Sequence, residues 1–182
     1  MLDIQFEPLA LEGAFVIAHI FNRDNRGGSI KCFEKQLYAE QGIAFELSET
    51  FVSVSKKNVI RGMHFQKNHP QAKLVSVLQG RVYDVIVDLR RESDTFQKWV
   101  SVELSSENHK ALYIPRGFAH GFAALEEETI MLYQCDGEYD KESDTGLRFD
   151  DPDLGIKWPV KSSVAICSER DLGLMSLKEY LL

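Results

Sequence analysis

The sequence predicts an all-β fold, a closed barrel or double-sheet jelly roll with short helices at its periphery. Three observations carry that expectation. Turn-forming residues recur at short intervals along most of the chain. The segments between them are short, and several alternate in character with a period of two. No strand–helix–strand rhythm is present, and neither is a GxGxxG or GxxxxGK loop of the kind that cradles a nucleotide phosphate.

Phe33 to Gln41 is the longest helix-like stretch, with Phe33 and Leu37 on one side. Around His64, regular alternation puts Ile60, Gly62, His64 and Gln66 on one face; Arg61 faces away unless Gly62 permits a bulge. Lys73 to Leu78 is a strand, and Gly80 turns it into the next. In that next strand Tyr83, Val85, Val87 and Leu89 share one face, while Val82, Asp84, Ile86 and Asp88 share the other. Trp99 to Leu104 and Ala111 to Ile114 are further strands. His120 lies on a face with Phe118, Phe122 and Ala124, and Tyr133 on a face with Thr129, Met131 and Cys135. Ser168 to Leu182 reads as a short helix or arm.

A length of 182 residues fits one domain, 1–182, with a substantial core. The formal net charge of −7 argues against general binding to nucleic acid or to an anionic membrane. No apolar run approaches the ~20 residues that span a bilayer. The start, Met1 to Gln5, lacks the basic and apolar regions of a secretory signal. Cys32, Cys135 and Cys167 form no CxxC pair, which fits reduced thiols and a cytoplasmic location.

The chemistry concentrates in two segments, Arg61-Gly62-Met63-His64-Phe65-Gln66 and Pro115 to Phe122 with His120. A lone histidine usually packs and hydrogen-bonds a carbonyl; two on glycine-flanked strands of one barrel can share a cavity. Lys73 either covers a sheet edge with its stem or places a cation beside a developing oxyanion. Tyr133 reads first as a core tyrosine, and Asp171 either caps a helix or orients His64 as a triad aspartate does. The run Pro115-x-Gly117-x-x-His120 also resembles the second motif of cupin barrels, whose histidine often binds a metal. The first cupin motif needs His-x-His and a carboxylate, whereas His64 is followed by Phe65 and Gln66 and His69 precedes a proline. Two imidazoles fall short of the three protein ligands a metal site commonly needs. A metal-dependent cupin enzyme is therefore the minor alternative to a site without metal or other cofactor.

The chain resembles the dTDP-4-dehydrorhamnose 3,5-epimerase family of cupin-fold nucleotide-sugar epimerases. The markers are Lys56 to Gln66, Lys73-Leu74-Val75, Gly80 to Arg90, Ser93-Asp94-Thr95-Phe96 with Trp99, Ile114 to Phe122, Leu132-Tyr133, Asp151 to Pro159 and Ser168 to Asp171. The resemblance implies a jelly-roll barrel, usually a homodimer, that works on a nucleotide-diphosphate sugar without a metal. By position, His64 resembles the general base, Asp171 its partner and Tyr133 the proton donor on the opposite face of the sugar. Lys73 and His120 resemble stabilisers of the enolate oxygen. Arg26 and Arg61 resemble the arginines that hold substrate and diphosphate, and Tyr139 the tyrosine that stacks on the base. Asp144 and Arg170 fall at further substrate-contact positions with changed side chains.

The departures lie near the start. The family usually reads Arg-Gly-x-Phe-x-Glu, and this chain has Arg26-Gly27-Gly28-Ser29-Ile30-Lys31, so the aromatic becomes Ser29 and the glutamate Lys31. Family glutamine and asparagine positions fall, by ungapped count, on Glu49 and Phe51. A retained catalytic set with changed recognition residues implies the same reaction type on an altered substrate, at carbon 3, carbon 5 or both.

Overall fold

The computed structural model describes residues 4–182. Two antiparallel sheets face each other. The first has six strands in the order β1 (Gln5–Pro8), β2 (Phe15–Ala18), β10 (Lys110–Ile114), β7 (Ala72–Gln79), β12 (Thr129–Asp136) and β5 (Leu47–Ser55). The second has five, in the order β13 (Asp144–Gly146), β6 (Ile60–Gln66), β11 (Phe118–Ala124), β8 (Arg81–Asp88) and β9 (Trp99–Ser105). β3 (Asn22–Asp24) and β4 (Gly27–Ser29) form a separate, fully exposed hairpin. The helices are short: α1 (Lys35–Glu40), α2 (Glu169–Leu172) and α3 (Leu177–Leu181). The expected jelly roll is what forms, and the helix and arm fall where periodicity put them.

Alternation along the strands explains how the sheets close. Val75 and Val77 of β7 and Met131, Tyr133 and Cys135 of β12 point inward. They meet Val82 and Ile86 of β8 and Phe118, Phe122 and Ala124 of β11 from the opposing sheet. This is the apolar plug between the sheets. The outer faces are covered as well. Val85, Val87 and Leu89 pack under Leu147, Leu154 and Leu177, while Leu74, Ala111 and Tyr113 pack under Tyr38, Ile43 and Phe45. Strands buried on both faces read as nearly continuous apolar runs, which is why β11 has His120 as its one polar side chain.

One strand crossing decides the shape of the site. Gly62 of β6 lies against Gly121 of β11, where a side chain on Gly62 would meet the Gly121 Cα at 2.5 Å. The pairing of β11 with β6 is irregular between His120 and Phe122, and Gly62 has a φ of 123°, which favours glycine. The Gly62–Met63 peptide is cis. The irregular pairing of β11 with β6 re-aims Arg61, so Arg61 and His64 line the same cavity although plain alternation separates them.

The β8–β9 loop is pinned by a buried carboxylate. Asp88 accepts hydrogen bonds from Arg90 Nη2 (2.7 Å), Ser93 Oγ (2.6 Å) and Thr95 Oγ1 (2.7 Å). Burial alone would raise its pKa; the Arg90, Ser93 and Thr95 donors outweigh this and hold it down at about 2. A depressed carboxylate stabilises the fold above its unfolded pKa of about 4, and that contribution disappears as pH falls through the folded value. Thermal melts should therefore show stability dropping between about pH 4 and 2. In Asp88→Asn the drop should be shallower, with a loss of about 2 kcal/mol at neutral pH from the unpaired Arg90. A variant melting like the parent at pH 7 would refute this.

Candidate active site

The site opens where the apolar plug gives way to polar side chains on the inward faces. β6 contributes Arg61 and His64, β11 contributes His120, and β12 contributes Tyr133 from the opposite sheet. β5 adds Phe51 and Ser53, and the rim carries Tyr139, Asp144 and Arg170. Together they line a cavity of about 300 Å3. A second recess of about 220 Å3 continues from it, lined by Glu49, Gln66 and Gln71 and sharing Phe51, Tyr139 and Asp144. A wider cleft of about 590 Å3 lies beyond Tyr139 but contains neither His64 nor Tyr133.

His64 Nε2 lies 2.8 Å from Asp171 Oδ1. Ser168 caps α2 by accepting from the Asp171 N–H at 3.1 Å, which fixes where the carboxylate points. Its other oxygen accepts the Gly62 N–H at 3.2 Å. Burial pushes the Asp171 carboxyl up, but the His64 ring, the Gly62 amide and Ser168 outweigh it, and the net shift is down. An ionised Asp171 accepts from Nε2–H, and this tautomer leaves the Nδ1 lone pair to take a proton. Asp171 is thus placed to orient His64; the cap of α2 is Ser168, and Asp171 in the first turn does not cap the helix itself.

His120 is held the same way by a residue that sequence reasoning did not single out. Its Nε2 sits 3.0 Å from both oxygens of Asp84 on the neighbouring β8. Burial pushes the Asp84 carboxyl up, and His120 pulls it back. The signal was present in the sequence: a carboxylate between Val82 and Ile86 on an inward face demands a buried partner.

Tyr133 stacks on Phe51, with ring centroids 4.4 Å apart and planes at 9°, and meets the His120 ring edge-on at 6.1 Å. Burial keeps its phenol protonated well above the ordinary range. Arg61 is tied to the β5 edge, donating from Nε to Ser55 Oγ and from Nη2 to the Val54 carbonyl, both at 3.1 Å. At the rim, Tyr139 donates to Asp144 Oδ2 at 3.0 Å, and Arg170 Nη2 pairs with the same oxygen at 2.8 Å. Ser53, also absent from the sequence-level set, leaves its buried Oγ without a hydrogen-bond partner among the described residues. Such an orphan costs about 1–3 kcal/mol.

Four expected residues stand apart from the cavity wall. Lys73 points inward from β7 beside Cys135, its register partner, but does not line the cavity of His64 and Tyr133. Burial lowers its pKa, while Cys135, Asp144 and Glu49 raise it. Arg26 sits on the β3–β4 hairpin, 85% exposed, paired with Asp24 at 2.6 Å. Lys31 pairs with Glu34 at 2.6 Å on the surface. Glu49 lies in the second recess, where Gln71 Nε2 approaches it at 3.4 Å. Among the described residues no three His, Cys, Asp or Glu side chains converge as a metal site requires, and both cavity imidazoles are committed to aspartates.

The profile of the family described as dTDP-4-dehydrorhamnose 3,5-epimerase matches residues 8–179. The chain belongs to the dTDP-4-dehydrorhamnose 3,5-epimerase family. It is 41% identical over 180 residues to the dTDP-4-dehydrorhamnose 3,5-epimerase of Methanothermobacter thermautotrophicus, covering 98% of this chain and 97% of that one. The crystal structure of the Elizabethkingia anophelis enzyme of that name superposes with a TM-score of 0.92, at 39% identity and 97% coverage of both chains. A Legionella pneumophila dTDP-6-deoxy-D-glucose-3,5-epimerase, solved with dTDP-4-keto-L-rhamnose, gives 0.93 at 36% identity, covering 97% of this chain and 94% of that one. As a member of this 3,5-epimerase family the chain is an enzyme of the isomerase class. Its fold is the cupin-like jelly roll of these structures.

Proposed function

We propose that the chain, as one domain spanning 1–182, epimerises a dTDP-linked 4-keto-6-deoxy sugar at carbon 3, carbon 5 or both. The observation that carries the proposal is the pair His64 and Tyr133 on facing sheets of one cavity, with Asp171 behind His64. The 4-keto group acidifies the protons on carbons 3 and 5. His64 Nδ1 takes one of them, and the C–H electron pair moves into the enolate. His120, held by Asp84, stabilises the enolate oxygen, and the Lys73 charge contributes from deeper in the barrel. Tyr133 then gives a proton from the other side, which inverts the centre.

Arg61 and Arg170 hold the diphosphate. Tyr139 carries the base, and Glu49, Phe51 and Asp144 shape the second recess that receives part of the substrate. Arg26 and Lys31 lie away from their own cavity, and the edge strand β5 exposes Val52 (55%) and Val54 (60%). Both facts support a homodimer in which the hairpin of one copy approaches the site of the other. A cytoplasmic location follows from the nucleotide-sugar substrate; none of the helices described is long and apolar enough to cross a membrane.

The test is incubation with dTDP-4-keto-6-deoxyglucose in deuterated water, followed by NMR of the sugar protons. Exchange with inversion at carbon 3, carbon 5 or both is the expected result. A folded protein that exchanges neither proton would overturn the assignment of this substrate and direct the search to another nucleotide sugar.

A further inference from the structure

One hydroxyl in the cavity is unsatisfied: Ser53 Oγ is buried and has no hydrogen-bond partner among the described residues. Tyr133 makes no side-chain hydrogen bond that meets ordinary geometry among the described residues, although its ring is gripped by Phe51 and His120. Both residues line the same cavity. They stand on paired strands: Phe51 is the register partner of Tyr133, and Ser53 follows two residues later on the same inward face. A buried hydroxyl without a partner calls for a reason, and the nearest function is on the neighbouring strand.

We infer that Ser53 is a positioning residue for proton return: its O–H donates to the Tyr133 oxygen once that oxygen has given its proton to the sugar. This rests on the reading of Tyr133 as the acid. In that step the Tyr133 O–H bond breaks and its electron pair stays on oxygen. The enolate pair forms the new C–H bond, and the 4-keto group is restored. The phenolate is left inside the barrel until solvent protonates it. Burial opposes the phenolate most strongly, Ser53 favours it, the Asp84 charge opposes it and Arg61 favours it. A hydrogen bond to a charged oxygen is worth more than one between neutral groups. Ser53 therefore lies close enough to favour the Tyr133 phenolate but forms no well-aligned hydrogen bond in the resting site, and the bond strengthens when charge appears.

The test compares Ser53→Ala and Ser53→Thr with the parent. Ser53→Ala should lower kcat for inversion by about tenfold with KM unchanged, while deuterium exchange with retention, driven by His64, continues. Ser53→Thr should restore the rate. The second readout needs no substrate. With 3-fluorotyrosine placed at position 133, the 19F titration midpoint should rise by about one pH unit in Ser53→Ala. A raised KM with unchanged kcat would make Ser53 a direct sugar contact and overturn the inference, and so would an unmoved 19F midpoint. Because the titration is independent of turnover, a protein inactive on the tested sugar would refute the substrate assignment and still decide the role of Ser53.

Discussion

Replacing His64 by alanine should lower turnover by about 10²–10⁴-fold, the usual worth of a positioned base. The change also strands Asp171, which is 4% exposed and loses its Nε2 partner at 2.8 Å. Gly62 N–H still contacts the carboxylate, so the stability loss should be about 1–2 kcal/mol and the barrel should persist. The sign of the pH effect follows. Asp171 is held below its ordinary pKa partly by His64, so it stabilises the fold above that ordinary range and less in the variant. The difference in melting temperature between parent and His64→Ala should therefore shrink as pH falls through the carboxylate range. His64→Asn, which can donate to Asp171, should recover most of the stability and none of the turnover. Near-normal turnover in either variant would sink the assignment of His64 as base.

Tyr133→Phe should have an equally large effect of a different kind. The substitution removes one hydroxyl and keeps the ring that stacks on Phe51, so the melting temperature should stay close to that of the parent. Net inversion should fall by about 10²–10⁴-fold. Proton abstraction by His64 is untouched, so the enolate still forms and collapses back by proton return from the same side. NMR in deuterated water should then show label entering with retained configuration. The two variants separate the half-reactions: His64→Ala blocks exchange and inversion together, and Tyr133→Phe uncouples them. Inversion at the parental rate in Tyr133→Phe would require another acid in the cavity.

Sequence patterns reached far into this fold for a physical reason. Side-chain direction in a strand is local, so the two faces of β8, Val82, Asp84, Ile86 and Asp88 against Tyr83, Val85, Val87 and Leu89, were legible from the sequence, while the structure decided which of them points inward. The same holds for Phe118, His120 and Phe122 on β11 and for Met131, Tyr133 and Cys135 on β12. The resemblance then supplied roles for side chains whose types suit proton transfer. Several strands went unread. β1 and β2 are four residues each, β3, β4 and β13 three, too short for alternation to register. β5 exposes residues on both faces, so its pattern does not resemble a half-buried strand.

The sequence by itself determined which residues share a strand face and which of them can give or take a proton. Those properties depend on a period of two and on side-chain chemistry, and they need no knowledge of distant chain. Only the tertiary structure decided which of them meet. Asp171 joins His64 across 107 positions and Asp84 joins His120 across 36. The close pass of Gly62 over Gly121 turns Arg61 into the cavity against simple alternation. The tertiary structure also leaves Ser53 without a partner among the described residues beside Tyr133, and it sets Arg26 and Lys31 outside the cavity of their own chain. Such contacts come from strand order and register in the closed barrel, which burial of both sheet faces selects as a whole.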